Sequence, residues 1–426
     1  MNISSGRLLL YRPSEDSLLG RMLSLQDNPC RGQLYRECIG DLITLCEEHG
    51  FSGNLWHCYL AYYLVYHENA YSRSCEIRGK AGEGITKAAL SDFAELMKLF
   101  AWDFETMDRE NESGFAELIR NYQTSGGNRK TFNRRIRDRI MELAVALAGC
   151  ESPEAFGQQV SQFYGDFGVG KFGLHKAFRI FEDAGGNVSI RPITNIAHVQ
   201  LEDLVGYETA KQKLIENTEA FVAGRSANNC LLYGDAGTGK SSSIKGILNR
   251  YYDRGLRIIE VYKHQFRNLN DVIAQIKNRN YRFILYMDDL SFEEFETEYK
   301  YLKAVIEGGL EKKPDNILIY ATSNRRHLIR ENYSDKEEVR VDMHTSDTVQ
   351  EKLSLVYRFG VTIYFGSPDK KEFQEIVRVL AQRNQIRMPM DQLLLEANQW
   401  ELHHGGLSGR TAQQFIDYLR GTRCIE

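Results

Sequence analysis

The run Gly234-Asp235-Ala236-Gly237-Thr238-Gly239-Lys240-Ser241 fits G-x-x-x-x-G-K-[ST], the spacing of a phosphate-binding loop. Glycines let the backbone wrap closely round an anion with its N–H groups turned inward. A helix starting at the loop adds its positive end. Lys240 then reaches the β- and γ-phosphates, and the Ser241 hydroxyl holds Mg²⁺. The flanks agree, because residues 230–233 are a short apolar run of strand type and 242–250 read as a helix. The expected ligand is a nucleoside triphosphate with magnesium. Gly234, Asp235, Ala236, Gly237, Thr238, Gly239, Lys240, Ser241 and Ser242 are the expected contacts.

A second stretch, Phe283-Ile284-Leu285-Tyr286-Met287-Asp288-Asp289, is a buried strand followed by two acids. Ligands of open α/β sheets bind beyond the carboxyl ends of the strands, so both acids belong beside the phosphate loop. Asp288 is expected to orient Mg²⁺ through water, because magnesium dehydrates reluctantly. Asp289 is the candidate general base for an attacking water. A third apolar run, 317–321, ends in Thr322-Ser323-Asn324. The Asn324 amide can bond the γ-phosphate or the water, having both donor and acceptor, or it can cap a following helix. Arg325, Arg326 and His327 follow as phosphate or subunit contacts, or as a solvated turn. Arg358, just before the last strand, can be offered across a subunit interface to neutralise transition-state charge. Arg410 begins a C-terminal helix and can fold over the nucleotide, or it forms a local salt bridge.

These residues need a scaffold. From residue 203 the chain alternates helix and strand. Strands are expected at 230–233, 257–261, 283–287, 316–321 and 361–364, with helices between most of them. That alternation predicts a parallel sheet covered on both faces. Residues 370–383, 390–400 and 410–419 read as helices. The first 150 residues carry helical periodicity, as in Leu34, Cys38, Ile39, Leu42, Ile43 and Cys46. Between these regions lies the glycine-rich stretch 165–173, read as a hinge or a tight packing loop. The expected organisation is an all-α N-terminal domain over 1–160 and a glycine-rich linker and lead-in over 161–200. A phosphate-loop α/β domain over 201–366 and a helical lid over 367–426 follow.

Phosphate loop, paired acids, strand-end asparagine, interface arginine and C-terminal helix arginine, in this order, resemble the AAA-plus ATPases. A closer resemblance is to the bacterial ATPase family catalogued as domain of unknown function 815. It is carried by 228–234, 288–293, 321–328, 408–412 and Phe172-Gly173-Leu174-His175-Lys176-Ala177-Phe178-Arg179, and it covers roughly 165–426. The resemblance implies an AAA-plus fold, ATP as ligand with Mg²⁺, and catalytic roles for Lys240, Asp289, Asn324, Arg358 and Arg410. It further implies that the segment 203–207, with Gly206, lines the adenine pocket. Tyr357 departs from the family, where a small or acidic residue precedes the arginine. An aspartate as second acid is similar to replication initiators and helicase loaders, and it implies a short base and slow hydrolysis.

The bulk numbers bound the partners. A net charge of −4 over 426 residues gives no global pull toward nucleic acid or membrane. One local run, with Arg129, Lys130, Arg134, Arg135, Arg137 and Arg139, can neutralise phosphates or form a solvated helix face paired to acids. The longest apolar run, 55–66, is too short to span a bilayer, so no membrane insertion is expected. Eight cysteines lack CxxC spacing, and Cys30, Cys38 and Cys46 recur as on one helix face. With no secretion signal read at the N-terminus, a cytoplasmic protein with reduced thiols is expected. The segment 260–269 has no glycine after its aromatics, which argues against a protein-threading motor. Two functions stay open: an oligomeric ATPase that remodels or loads a macromolecular client, and a nucleotide-gated binding or scaffold module with little turnover.

Overall fold

The computed structural model describes residues 7–27, 30–124, 134–194, 196–293, 296–307, 314–326, 328 and 355–422. The chain divides into two compact units, Met1–His175 and Lys176–Glu426.

The first unit is helical among its described residues. Its centre is the helix Leu55–Tyr66, apolar all round and buried along most of its length. Such a helix is stable only when neighbours cover every face. Asn54 caps it by accepting from the His57 N–H, and the Trp56 indole donates to the Leu99 carbonyl at 2.7 Å. Cys38 and Cys46 are buried on the helix Gly32–His49, but Cys30 lies outside that helix and is exposed, so the eight-residue recurrence marks one face for two thiols only. The glycine-rich stretch is built into this unit. Gly165 lies within the helix Pro153–Phe167, and Gly168 ends that helix at φ +80°. A Cβ on Gly173 would meet the Gly168 backbone at 2.7 Å, so this is a close-packed turn.

The second unit is built on seven strands among its described residues. These are β1 (Ala177–Glu182), β2 (Val188–Pro192), β3 (Cys230–Gly234), β4 (Leu256–Glu260), β5 (Arg282–Met287), β6 (Ile317–Ser323) and β7 (Val361–Phe365). Their order in the sheet is β2-β1-β4-β5-β6-β3-β7. Only β1 and β2 pair antiparallel. The five expected strands are present. The expected linker 161–200, however, contains the β1–β2 hairpin, whose turn is held by the Asp183 carboxylate accepting from Gly185 and Asn187 N–H groups. β6 is buried at all seven positions, as a central parallel strand covered on both faces requires. Register places Tyr233 beside Ser323 and Met287 beside Ala321. The residues that follow β3, β5 and β6 therefore emerge together at one edge.

Helices Lys370–Arg383, Met390–His403 and Gly409–Thr422 form the lid around Phe373, Ile376, Val377, Leu393, Phe415 and Ile416. Asp369 and Glu372 form a capping box that fixes where the first of them begins. Among the described residues, no helix is long and apolar enough to cross a membrane.

Candidate nucleotide-binding site

The phosphate loop follows β3 directly. Gly234 has φ +135°, and a Cβ there would lie 2.0 Å from the Phe365 carbonyl oxygen, so β7 approaches as closely as only glycine allows. Gly237 has φ +76°, and its carbonyl accepts from the Arg410 N–H at 3.1 Å, which joins the loop to the lid. Lys240 opens the helix Lys240–Tyr251. Its ammonium donates to the carbonyls of Gly234 at 2.8 Å and Asp235 at 2.5 Å. Burial lowers its pKa, while Asp235, Asp289 and Asp288 pull it back up.

The two acids after β5 sit in unlike settings. Asp288 Oδ1 accepts three hydroxyls, from Ser241 at 2.7 Å, Tyr286 at 2.6 Å and Thr322 at 2.6 Å. Burial pushes this carboxyl up, but the bonds from Thr322, Tyr286 and Ser241 outweigh it and hold it below the usual carboxylate range. Asp289 adopts φ +49°, and its N–H donates to Thr322 Oγ1 at 3.0 Å. Its carboxylate accepts from the Asn324 amide at 2.8 Å. Thr322 thus bridges both acids.

A cavity of about 740 Å³ gathers these groups, a size that suits a nucleotide. Ala236, Gly237, Thr238, Gly239, Lys240, Ser241, Ser242, Asp288, Asp289, Thr322, Asn324 and Arg410 line it. Its other walls include His198, Val199, Leu204, Val205 and Tyr207, with Ile376 and Leu380 from the lid.

Four residues expected at the ligand do not line this cavity. Gly206 lines a neighbouring cavity of about 380 Å³. Gly234 supports the loop from beneath. The Asp235 carboxylate turns toward the lid hinge and accepts from Ser367 N–H at 2.8 Å and Oγ at 2.9 Å. Arg358 forms an ion pair with Glu307. Sequence reasoning passed over Thr322 and Tyr286 as functional groups. Each stands two residues before a named acid or amide that follows a strand end, and that short spacing is the signal that finds them.

Ser241 Oγ and the Asp288 carboxylate are hard oxygen donors held side by side at the phosphate loop, a donor set that fits Mg²⁺. Among the described residues, no group of three or more His, Cys, Asp or Glu is placed to hold a metal ion.

A family model described as "Protein of unknown function (DUF815)" matches residues 174–423. The chain belongs to the DUF815 family. This DUF815 chain is 35% identical over 74 residues to the replication factor C large subunit of Staphylothermus marinus, and the match spans 17% of each protein. Among solved structures, it is similar to a point mutant of Thermotoga maritima RuvB with 17% identity and a TM-score of 0.37, covering 52% of this chain and 65% of that one. It is also similar to the Thermotoga maritima RuvB Holliday junction branch migration motor, with 14% identity and a TM-score of 0.32, covering 52% and 72%. The DUF815 chain has the AAA-plus architecture: phosphate loop after β3, acids after β5, asparagine after β6 and a helical lid after β7.

Elsewhere in the DUF815 chain, two arginines of the basic run are engaged internally. Arg137 pairs with Asp138, and the Arg139 guanidinium lies 4.0 Å from the Phe167 ring centre. Arg129 and Lys130 lie outside the described residues, as does His327. The segment after β4 is a 3₁₀ helix, Lys263–Asn268, tied by Lys263 to Glu296 at 2.7 Å and by Arg267 to Glu182 at 3.0 Å.

Proposed function

We propose that this DUF815 protein binds Mg·ATP in the 740 Å³ cavity and hydrolyses it to ADP and phosphate, to remodel or load a macromolecular client. The observation that carries the reading is the convergence on one cavity of a phosphate loop, two acids, a strand-end amide and a lid arginine. Each comes from a different element. Lys240 leaves its loop carbonyls to meet the β- and γ-phosphates. Ser241 and Asp288 hold the cation, which when bound screens the phosphate charge. Asn324 orients a water, and Asp289 takes its proton. The water oxygen bonds to the γ-phosphorus, the bond to the β–γ bridging oxygen breaks, and ADP leaves. Arg410 neutralises charge from the lid, and Arg358 completes the site of a neighbouring copy in a homo-oligomer.

One observation favours a second reading. The Asp289 carboxylate already receives the Asn324 amide at 2.8 Å, so the two groups that would orient and deprotonate a water are engaged with each other. A nucleotide-gated binding module with little turnover uses the same cavity.

Calorimetry with Mg·ATP and a phosphate-release assay test both. Lys240→Ala is expected to weaken ATP uptake about 100-fold or more, since it removes a charge-assisted phosphate contact. Asp289→Asn is expected to keep ATP uptake and to lower release by about 100-fold or more. Wild-type protein with uptake but no release selects the binding module. Release that rises with protein concentration and collapses in Arg358→Ala supports the shared site. Absence of ATP uptake by the folded wild type overturns the function.

A further inference from the structure

The apolar walls of the cavity are held by a contact that belongs to no part of the chemistry above, and Leu204 among them lies against the loop, 3.1 Å from where a Cβ on Gly239 would stand. Leu204 and Val205 line one side, and Ile376 and Leu380 line the other from the lid helix Lys370–Arg383. One turn past Leu380, on the same helix face, stands Arg383. Its guanidinium donates to the main-chain carbonyls of Glu202 and Asp203, each at 2.7 Å. Those carbonyls belong to the short 3₁₀ turn Leu201–Asp203, which leads directly into Leu204 and Val205.

That turn is itself seated on the phosphate-loop helix. A Cβ on Gly246 would lie 2.9 Å from the Leu201 side chain, and Arg250 pairs with Glu202 at 3.3 Å. Val205 packs into the hydrophobic core of the lid. Arg383 therefore bridges a wall fixed to the phosphate-loop helix and a helix that carries the opposite wall. The planar fork of a guanidinium can meet two successive carbonyls at once, which an ammonium cannot do with the same rigidity. The phosphate end has its own link to the lid, the Arg410 N–H on the Gly237 carbonyl. The two ends of the cavity are thus closed by separate contacts.

We propose that Arg383 is a positioning residue that closes the nucleoside end of the cavity, so that the protein distinguishes a nucleoside triphosphate from a bare polyphosphate. This rests on the nucleotide-binding reading and deepens it. Arg383 does not line the 740 Å³ cavity; with Leu204 and Val205 it lines the neighbouring one of about 380 Å³. It sets the spacing between Leu204 and Val205 on one side and Ile376 and Leu380 on the other, between which the base and sugar lie.

The test is calorimetric titration of wild type, Arg383→Ala and Arg383→Lys with Mg·ATP and, separately, with Mg·tripolyphosphate. Two charge-assisted bonds are lost in Arg383→Ala, so ATP affinity is expected to fall about tenfold while tripolyphosphate affinity stays within about twofold. Arg383→Lys, which keeps the charge but loses the fork, is expected to fall between. The readout is the ratio of the two affinities, taken beside the melting temperature of each variant, so that a general loss of lid stability registers separately. Equal losses for both ligands, or no loss for either in folded variants, overturn the proposal. Wild-type protein that takes up neither ligand overturns the nucleotide reading itself, and this one with it.

Discussion

The helical unit and the α/β unit each hold a carboxylate that receives three hydrogen bonds, and the donors differ. In the helical unit, Asp92 is fully buried and accepts the backbone N–H groups of Leu9 at 2.9 Å, Leu10 at 2.7 Å and Tyr11 at 2.9 Å. In the α/β unit, Asp288 accepts three side-chain hydroxyls on a single oxygen. An amide N–H can only donate, and its direction is fixed by the chain. A hydroxyl rotates and carries lone pairs, so it can turn to accept or to meet a cation. The same residue type with the same number of donors therefore ties down a chain segment in one place and prepares a ligand site in the other.

Substituting both acids separates the two roles and gives the largest effects. Asp92→Ala leaves the amides of Leu9, Leu10 and Tyr11 without their acceptor, the last of them buried, and is expected to cost about 3 kcal/mol of unfolding free energy. Its ATP affinity is expected to match wild type. Asp288→Asn is expected to show the reverse, with phosphate release down on the order of 100-fold and stability within about 1 kcal/mol of wild type. Urea unfolding and phosphate release on both variants give the comparison, and an Asp92 variant that loses ATP uptake while folded would break it.

A pH effect of intermediate size belongs to the helical unit. His67 bonds the Leu10 carbonyl at 3.1 Å, beside the segment that Asp92 holds. Burial lowers its pKa, against opposing pulls from the Leu10 carbonyl and from Asp92. His57, bonded to the Phe100 carbonyl at 2.8 Å, is lowered for the same first reason. A histidine with a depressed folded pKa binds fewer protons folded than unfolded. Stability is then whole above the unfolded value near about 6.5 and is lost as pH falls toward the folded value. Melting of the helical unit is expected at lower temperature at pH 5.5 than at pH 7.5, and His67→Gln is expected to shrink that difference. A variant with the full wild-type difference would exclude His67 as a source.

What the sequence made legible follows from the same physics. Asp288, Asp289 and Asn324 could be placed because β5 and β6 are continuous apolar runs that stop at polar residues, and a stop of that kind marks the edge where ligands bind. The β1–β2 hairpin was not legible, because Gly185, Gly186 and Asn187 read as generic punctuation and the paired strands, with Arg179, Glu182 and Arg191 exposed, are not continuous apolar runs. The bridging role of Thr322 depends on the β5–β6 register, which sets Met287 beside Ala321 and which no local pattern encodes. Arg383 was invisible for a further reason. Its hydrogen-bond partners are main-chain carbonyls about 180 residues earlier, which leave no mark in the residue types, and its charged partner Asp203 at 3.8 Å is too distant in the chain for a local pattern to pair them.

The smallest effect concerns Asp235, a phosphate-loop residue by position that turns its carboxylate to the hinge. Its N–H bonds the Phe365 carbonyl at 3.0 Å, and its carboxylate holds both Ser367 groups. Tyr207 reaches the intervening Gly366 carbonyl at 3.0 Å. The two Ser367 bonds are exposed, so each is worth little, and their loss loosens the hinge without touching a phosphate contact. Asp235→Ala is expected to speed ATP dissociation about two- to fivefold in stopped-flow measurements, a change of under about 1 kcal/mol. Asp235→Asn keeps an acceptor for Ser367 and is expected to recover most of the wild-type rate. If Asp235→Ala instead abolishes ATP uptake as Lys240→Ala is expected to, the carboxylate acts at the phosphates. The α/β unit would then contain no acid near its loop that works as Asp92 does, by tying one segment of chain to another.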